Sequence, residues 1–243
     1  MRVRAVVAYD GTDYGGFQRQ TNAPTVQAAL ELALARVSQE TITVLAAGRT
    51  DAGVHAEGQV VAFDTTWRHR IDALQRALNA VLPADVAVRN VKETAADFHP
   101  RYDARCRHYR YTVYNALVRC PLARRHSLCV TVPLDVDAMQ QAAQVLVGEH
   151  DFAAFGRPHK QGGVTARRML MAEWGGKLPW LTFDIEANAF LYRMVRSIVG
   201  TLLQVGRGKM SVEKFAAVLA SRKRSQAGPT ALPHGLCLME VKY

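Results

Sequence analysis

Apolar and polar residues alternate from Arg2 to Tyr9 (RVRAVVAY), the period of a strand with one buried face. The pattern then changes to a helical stripe over 25–37, with Val26, Leu30, Ala33, Leu34 and Val37 on one side and Pro24-Thr25 opening it. Residues 41–47 (TITVLAA) and 59–64 (QVVAFD) are rich in β-branched or apolar residues and read as strands. A second helical stripe runs over 71–82 through Ile71, Leu74, Leu78 and Val81 and is stopped by Pro83, and 86–91 is again a strand. The order β-α-β-β-α-β is the split βαβ of ferredoxin-like domains.

The second half repeats the order with additions. Strands are expected at 107–114, 127–132, 167–174 and 180–187, the last two joined by GGKLP, and a final one at 236–241. Helices are expected at 136–147 with Asp135 as N-cap, at 190–205 and at 212–219. The fold class is therefore α+β: two ferredoxin-like halves, 1–97 and 98–243, joined edge to edge in one mixed, mainly antiparallel sheet with an active-site cleft between them. Such joining removes two exposed strand edges.

Composition narrows the class of protein. No apolar run approaches a membrane span, and MRVRAVVAYDGTDYGG has neither the apolar core nor the cleavage pattern of a secretory signal. Cys106, Cys120, Cys129 and Cys237 are irregularly spaced, as expected of reduced, mostly buried thiols in a cytoplasmic protein. The net charge of +10 comes largely from arginine, clustered at 101–110, 124–125, 167–168, 193–196 and 222–224. The planar guanidinium suits phosphate, so a polyanion such as nucleic acid is the expected partner, against a small phosphorylated substrate or a merely solvated basic surface.

Candidate chemistry centres on GRTDAGVHA, residues 48–56. Asp51 lies in the connection between two strands, with Gly48 and Gly53 on either side to permit unusual backbone angles. Asp beside Gly is also ordinary turn chemistry. Arg49, two residues away, could hold the carboxylate ionised, as a carboxylate nucleophile requires. His55-Ala56-Glu57 matches half of a zinc deaminase signature, but no Cys-x-x-Cys follows, so no metal is expected. Gly206-Arg207-Gly208-Lys209 resembles the end of a phosphate loop, yet Leu203 and Met210 replace its first glycine and its hydroxyl residue, so no nucleotide cofactor is implied. In the strand CRHYRYTVYN, Arg107, Tyr109, Tyr111 and Val113 share a face, from which a tyrosine could stack on a base or simply pack on a helix. Arg193 and Arg196 lie three apart on the expected helix FLYRMVRSIVGTLLQVG and share its face.

Six stretches taken together resemble the tRNA pseudouridine synthase A family: YDGTDYGGFQRQ (9–20), GRTDAGVHA (48–56), FHPRYDARCRHYRYTVYN (98–115), GEHDFAAF (148–155), FLYRMVRSIVG (190–200) and AGPTALPHGL (227–236). They follow the family's order across almost the whole chain. Cys106 and His108 depart from the pattern within the tyrosine motif, and the resemblance does not extend to the loop 156–163 (GRPHKQGG). The resemblance implies isomerisation of uridine to pseudouridine at positions 38, 39 and 40 of the tRNA anticodon arm, by a homodimer with no cofactor and no metal. No other protein partner and no membrane are indicated. On this resemblance Asp51 is the nucleophile, Arg49 stands beside it, Tyr109 stacks on the target base, and Arg196 pairs with the aspartate. Candidate substrate-binding residues are Gly48, Thr50, Val54 and His55 around Asp51, Gln18 and Arg19 in the first motif, and Arg107, Arg110 and Arg193, together with Tyr109. A tandem RRM-like RNA-binding protein would share the fold order, but no strand carries the Gly- and aromatic-rich signature of that module.

Overall fold

The computed structural model describes residues 1–158 and 162–243; His159, Lys160 and Gln161 of the GRPHKQGG loop lie outside the described residues. The chain forms two compact units, Met1–Arg105 with Cys237–Tyr243, and Cys106–Leu236. Both are α+β with largely antiparallel strands, the class expected from the hydrophobic pattern.

The first unit contains β1 (Arg2–Tyr9), α1 (Val26–Ser38), β2 (Leu45–Ala46), β3 (His55–Asp64), α2 (Ile71–Val81) and β4 (Val86–Glu93). Strand β1 lies between β3 and β4, antiparallel to both, and β2 pairs with the other edge of β3, giving the order β4-β1-β3-β2. The alternating residues of β1 are buried from Val3 through Tyr9 as the period predicts. Helix α1 begins where expected, with the Thr25 hydroxyl accepting from the Ala28 N–H at 3.3 Å.

The strand expected over 41–47 shortens to Leu45–Ala46, and hydrogen bonding explains why. The Val44 N–H donates to Glu31 Oε1 at 3.1 Å, and the Val44 carbonyl accepts from Gln27 Nε2 at 3.2 Å. Both backbone groups are committed to side chains of α1, so the ladder starts one residue later. Glu31 itself is buried, its second oxygen paired with Arg19 at 2.7 Å. Because β2 covers only Val61 and Ala62 on β3, the other end of that edge is open.

The second unit contains β5 (Cys106–Asn115), β6 (Leu128–Val130), α3 (Val136–Gln144), β7 (Gly148–Asp151), β8 (Ala166–Lys177), β9 (Trp180–Ala187), α4 (Met194–Gly206) and α5 (Val212–Ser221). Strands run β5-β9-β8-β7, each pair antiparallel, and β6 lies parallel to β5. The Asp135 N-cap is as expected, accepting from the Ala138 N–H at 2.9 Å. Strand β7 was not foreseen, because the four residues GEHD carry no alternating apolar signal. Helix α4 starts at Met194 rather than at residue 190. Tyr192 bridges to Arg157 through its backbone N–H at 3.0 Å, and Arg193 takes a left-handed backbone angle of φ 60°, so the helix cannot begin before them.

The final strand, β10 (Leu236–Lys242), returns to the first unit and pairs in parallel with β3 at His55 and Ala56, on the edge that β2 leaves open. Residues 98–105 also belong to that unit, where Tyr243 donates to the Pro100 carbonyl at 2.8 Å. The four cysteines are in no disulfide, and of them only Cys106 is buried; Cys129 is exposed on the short strand β6, which corrects the expectation of mostly buried thiols. Among the described residues no helix is long and apolar enough to cross a membrane.

Replacing Glu31 by Ala should destabilise the first unit by about 1–3 kcal/mol, because the Val44 N–H then loses its buried partner. Urea unfolding of Glu31→Ala against the parent protein measures this.

Candidate active site

Asp51 is held by two converging loops of the first unit. Residues 10–24, following β1, lie against residues 47–54, preceding β3. The backbone bonds between them run from the Phe17 N–H to the Thr50 carbonyl at 3.2 Å and from the Gly53 N–H to the Tyr14 carbonyl at 3.3 Å. A side-chain pair adds to them: the Tyr9 and Thr50 hydroxyls lie 2.8 Å apart, both buried. The approach needs glycine. A Cβ on Gly16, whose φ is 109°, would stand 2.7 Å from the Thr50 carbonyl oxygen and 3.2 Å from the Asp51 carbonyl carbon. The DYGG motif is thus the wall against which the aspartate loop is cast.

Within that loop Thr50 faces inward, Asp51 is partly exposed, and Arg49 is exposed. Arg49 is at the exposed side of the loop, while Thr50 is drawn in toward Tyr9. Of the two flanking glycines only Gly53 takes a positive φ, of 76°, where the Val54 N–H turns back to the Asp51 carbonyl at 3.2 Å. Gly48 is in ordinary backbone space with nothing near its missing side chain. Val54 is buried.

His55 is the first residue of β3 rather than a loop residue, and it is buried. Its Nδ1 accepts from the Gly11 N–H at 3.0 Å and lies 3.1 Å from Asp10 Oδ1. Glu57, the other half of the His-x-Glu pair, is ion-paired with Arg89 at 2.8 Å. In the first motif Gln18 is exposed, whereas Arg19 is committed to Glu31 and donates its backbone N–H to Gln27 Oε1 at 3.0 Å.

The second unit carries the remaining candidates. On β5, Tyr109, Tyr111 and Val113 share one face, as the alternation predicts, but that face is buried. Tyr109 is 8% exposed and packs edge-on against Phe190, with ring centres 5.0 Å apart. Tyr111 is fully buried, its hydroxyl donating to the Leu232 carbonyl at 2.8 Å, and burial pushes its pKa well above the ordinary phenol range. Tyr109 is therefore an almost enclosed ring, on a face where Phe190 and the segment 232–235 pack.

Arg107 donates to the Asn188 carbonyl at 2.8 Å. Arg110 points to the opposite side of β5, where its Nε reaches Asp184 at 2.9 Å and His108 Nε2 reaches the same carboxylate at 2.6 Å. Burial alone would raise the Asp184 carboxyl, but the hydrogen bonds from His108 and Arg110 and the arginine charge outweigh it and hold its pKa below the usual range.

Arg196 is half-buried on the first turn of α4 and is locked to the segment AGPTALPHGL by two bonds. Its Nε donates to the Ala231 carbonyl at 2.8 Å, and its own carbonyl accepts from the Ala231 N–H at 3.0 Å. That segment crosses the helix at Gly200, where a Cβ would stand 1.7 Å from the Pro229 carbonyl oxygen. Arg193 is exposed just before the helix, its guanidinium 4.9 Å from the centre of the Tyr192 ring. Arg193 and Arg196 do not share a helical face, because Arg193 precedes the helix.

Sequence reasoning did not single out Tyr9, Gly16, Gln59 or Ala231, all of which hold the candidate residues in place. Membership of the quoted motifs was the only available signal for three of them.

A family model described as tRNA pseudouridine synthase matches residues 5–103 and 142–243. The chain belongs to that family. Relatives named tRNA pseudouridine synthase A include one from Chloroflexus aurantiacus, 48% identical over 246 residues that cover 99% of this chain and 88% of the relative. Others come from Moorella thermoacetica, 46% identical with 99% of both chains covered, and from Brevibacillus brevis, 46% identical with 100% and 99% covered. The chain is thus a tRNA-modifying isomerase of the pseudouridine synthase family.

Two outcomes are expected from this geometry. Gly16→Ala forces a Cβ into the Thr50 carbonyl and displaces the aspartate loop, so kcat for pseudouridine formation should fall by about 100-fold, as read by single-turnover assay on tRNA. Asp184 has a folded-state pKa below its unfolded one, so its contribution is present above the unfolded value of about 4 and is lost as pH falls through the folded value. Asp184→Asn should cost about 1–3 kcal/mol at neutral pH and progressively less in acid, as urea unfolding across pH would show.

Proposed function

We propose that this isomerase acts on uridines at positions 38, 39 and 40 of the tRNA anticodon arm, with Asp51 as the nucleophile, and works as a homodimer. The observation that carries the reading is the aspartate loop itself. A short acid is left partly exposed while the residues on both sides of it are fixed through Thr50 and Gly53 to a glycine-rich partner loop. An ordinary turn aspartate has no need of such bracing, whereas a reacting carboxylate gains from being held in one geometry before substrate arrives.

The chemistry is balanced without an added reagent. The N–C bond between base and sugar breaks, the base turns, and it rejoins through carbon, with no net change in oxidation state. The target uridine must leave its stack, at a cost of a few kcal/mol in a duplex. Tyr109 is the proposed ring against the base and Arg196 the proposed guanidinium of the active site. Their supports are the edge-on contact of Tyr109 with Phe190 and the double backbone anchoring of Arg196 at Ala231, which hold both side chains in defined positions. The exposed arginines at 49, 124, 125, 168 and 193 are the proposed contacts to RNA phosphate. Gln18, Gly48, Val54 and His55 stand around the aspartate loop as further proposed substrate contacts.

Asp51→Ala should abolish pseudouridine formation and leave tRNA binding within a few-fold of the parent. Mass mapping of pseudouridine on unmodified tRNA, with a filter-binding assay alongside, measures both. Normal modification by the variant would remove Asp51 from the reaction, and modification outside the anticodon arm would overturn the proposed sites.

A further inference from the structure

Gln59 lies on β3, fully buried, and its Nε2 donates to the carbonyl of Gly48 at 2.9 Å. Gly48 is the first residue of the aspartate loop, three before Asp51. The adjacent step of the same stem is also fixed to β3, through the Ala47 N–H and the Val60 carbonyl at 2.8 Å. The amide orientation follows from the contact: the opposite assignment would set two carbonyl oxygens against each other. The other end of the side chain is unusual. Gln59 Oε1 is buried and has no hydrogen-bond partner among the described residues. An apolar residue of similar volume would fill the same space without desolvating an unpaired oxygen. A glutamine here therefore makes sense for its N–H alone.

We infer that Gln59 is a positioning residue for Asp51: its amide N–H sets the first peptide of the aspartate loop, and with it the direction in which the loop leaves β2. Downstream, Thr50 is held by Tyr9 and Phe17, and Gly53 by Tyr14. Gln59 supplies the upstream anchor, so removing it frees the Gly48 peptide while Ala47 and the far side of the loop stay fixed. The inference rests on Asp51 being the reacting group.

Two variants test it. Gln59→Met keeps the volume and removes both the donor and the unpaired oxygen. It should lower kcat by about 10- to 100-fold, the scale of a small misplacement of a reacting group. KM for tRNA should be unchanged and the unfolding temperature equal to or above that of the parent. Gln59→Glu keeps the shape but offers a donor only when protonated, and burial raises a carboxyl pKa. Its activity relative to the parent at the same pH should therefore be low at neutral pH and recover toward acid, where the carboxyl O–H can donate to the Gly48 carbonyl. A purely packing role predicts neither the split between kcat and KM nor the pH-dependent recovery. A kcat at neutral pH within twofold of the parent for either folded variant, or failure of both to fold, overturns the inference. Asp51→Ala run alongside separates the two questions. If it retains activity, the assignment of the nucleophile is wrong; if it is inactive while Gln59→Met is unimpaired, only the role of Gln59 is.

Discussion

The close approach of two backbones in the first unit is the constraint on which the candidate site depends. Residues 10–24 and 47–54 have little regular structure of their own, so each must satisfy its peptide groups on the other. Gly16 makes this possible, since any side chain there would strike the Thr50 carbonyl. Once the loops are in contact, the Tyr9–Thr50 hydroxyl pair and the bonds at Phe17 and Gly53 leave the Asp51 backbone few alternatives. Rigidity is thus achieved in a loop, where flexibility is the default.

The second unit uses the same device on a helix. The segment 227–236 can cross α4 only because position 200 lacks a side chain, and the crossing brings Ala231 into register with Arg196. Arg196 is then tethered twice, its guanidinium Nε donating to the Ala231 carbonyl and its backbone carbonyl accepting from the Ala231 N–H. Arg224 braces the same segment from the other side, donating to the Gly228 carbonyl at 3.1 Å and to the Thr230 hydroxyl at 2.9 Å. In both units a close backbone approach at a glycine fixes the peptides next to the side chain of interest. Electrostatic stabilisation by fixed groups works best under that condition, since little reorganisation remains at the moment of reaction.

The arginine excess divides into two populations. Arg2 is spent on Asp64 and the Phe98 carbonyl, Arg19 on Glu31, and Arg110 on Asp184. These charges stabilise the fold and are partly neutralised in doing so. Others, at 49, 124, 125, 168 and 193, are exposed and contribute to the positive field that attracts a polyanion. The sign of the partner's charge follows from the total, but the footprint follows only from the exposed members.

Legibility in the sequence tracked the range of the interaction responsible. Strand β1, helix α1 and the Asp135 cap were readable because alternation, helical stripes and caps act over a few residues. The six motifs identified the family and pointed to Asp51, Tyr109 and Arg196. Strand β2 was overestimated because Glu31 and Gln27, distant in sequence, take the hydrogen bonds of Val44. Helix α4 begins at Met194 rather than at residue 190 because a bridge from Arg157 holds Tyr192 outside it. The inward turn of Thr50 was not legible either, since the tyrosine that holds it lies forty-one positions away. By itself the sequence determined the element types, the positive charge and the family motifs, all local or additive properties. Only the tertiary structure decided which peptide groups meet across the loops, and so where Asp51 and Arg196 are held, because those bonds join residues that chain order keeps far apart.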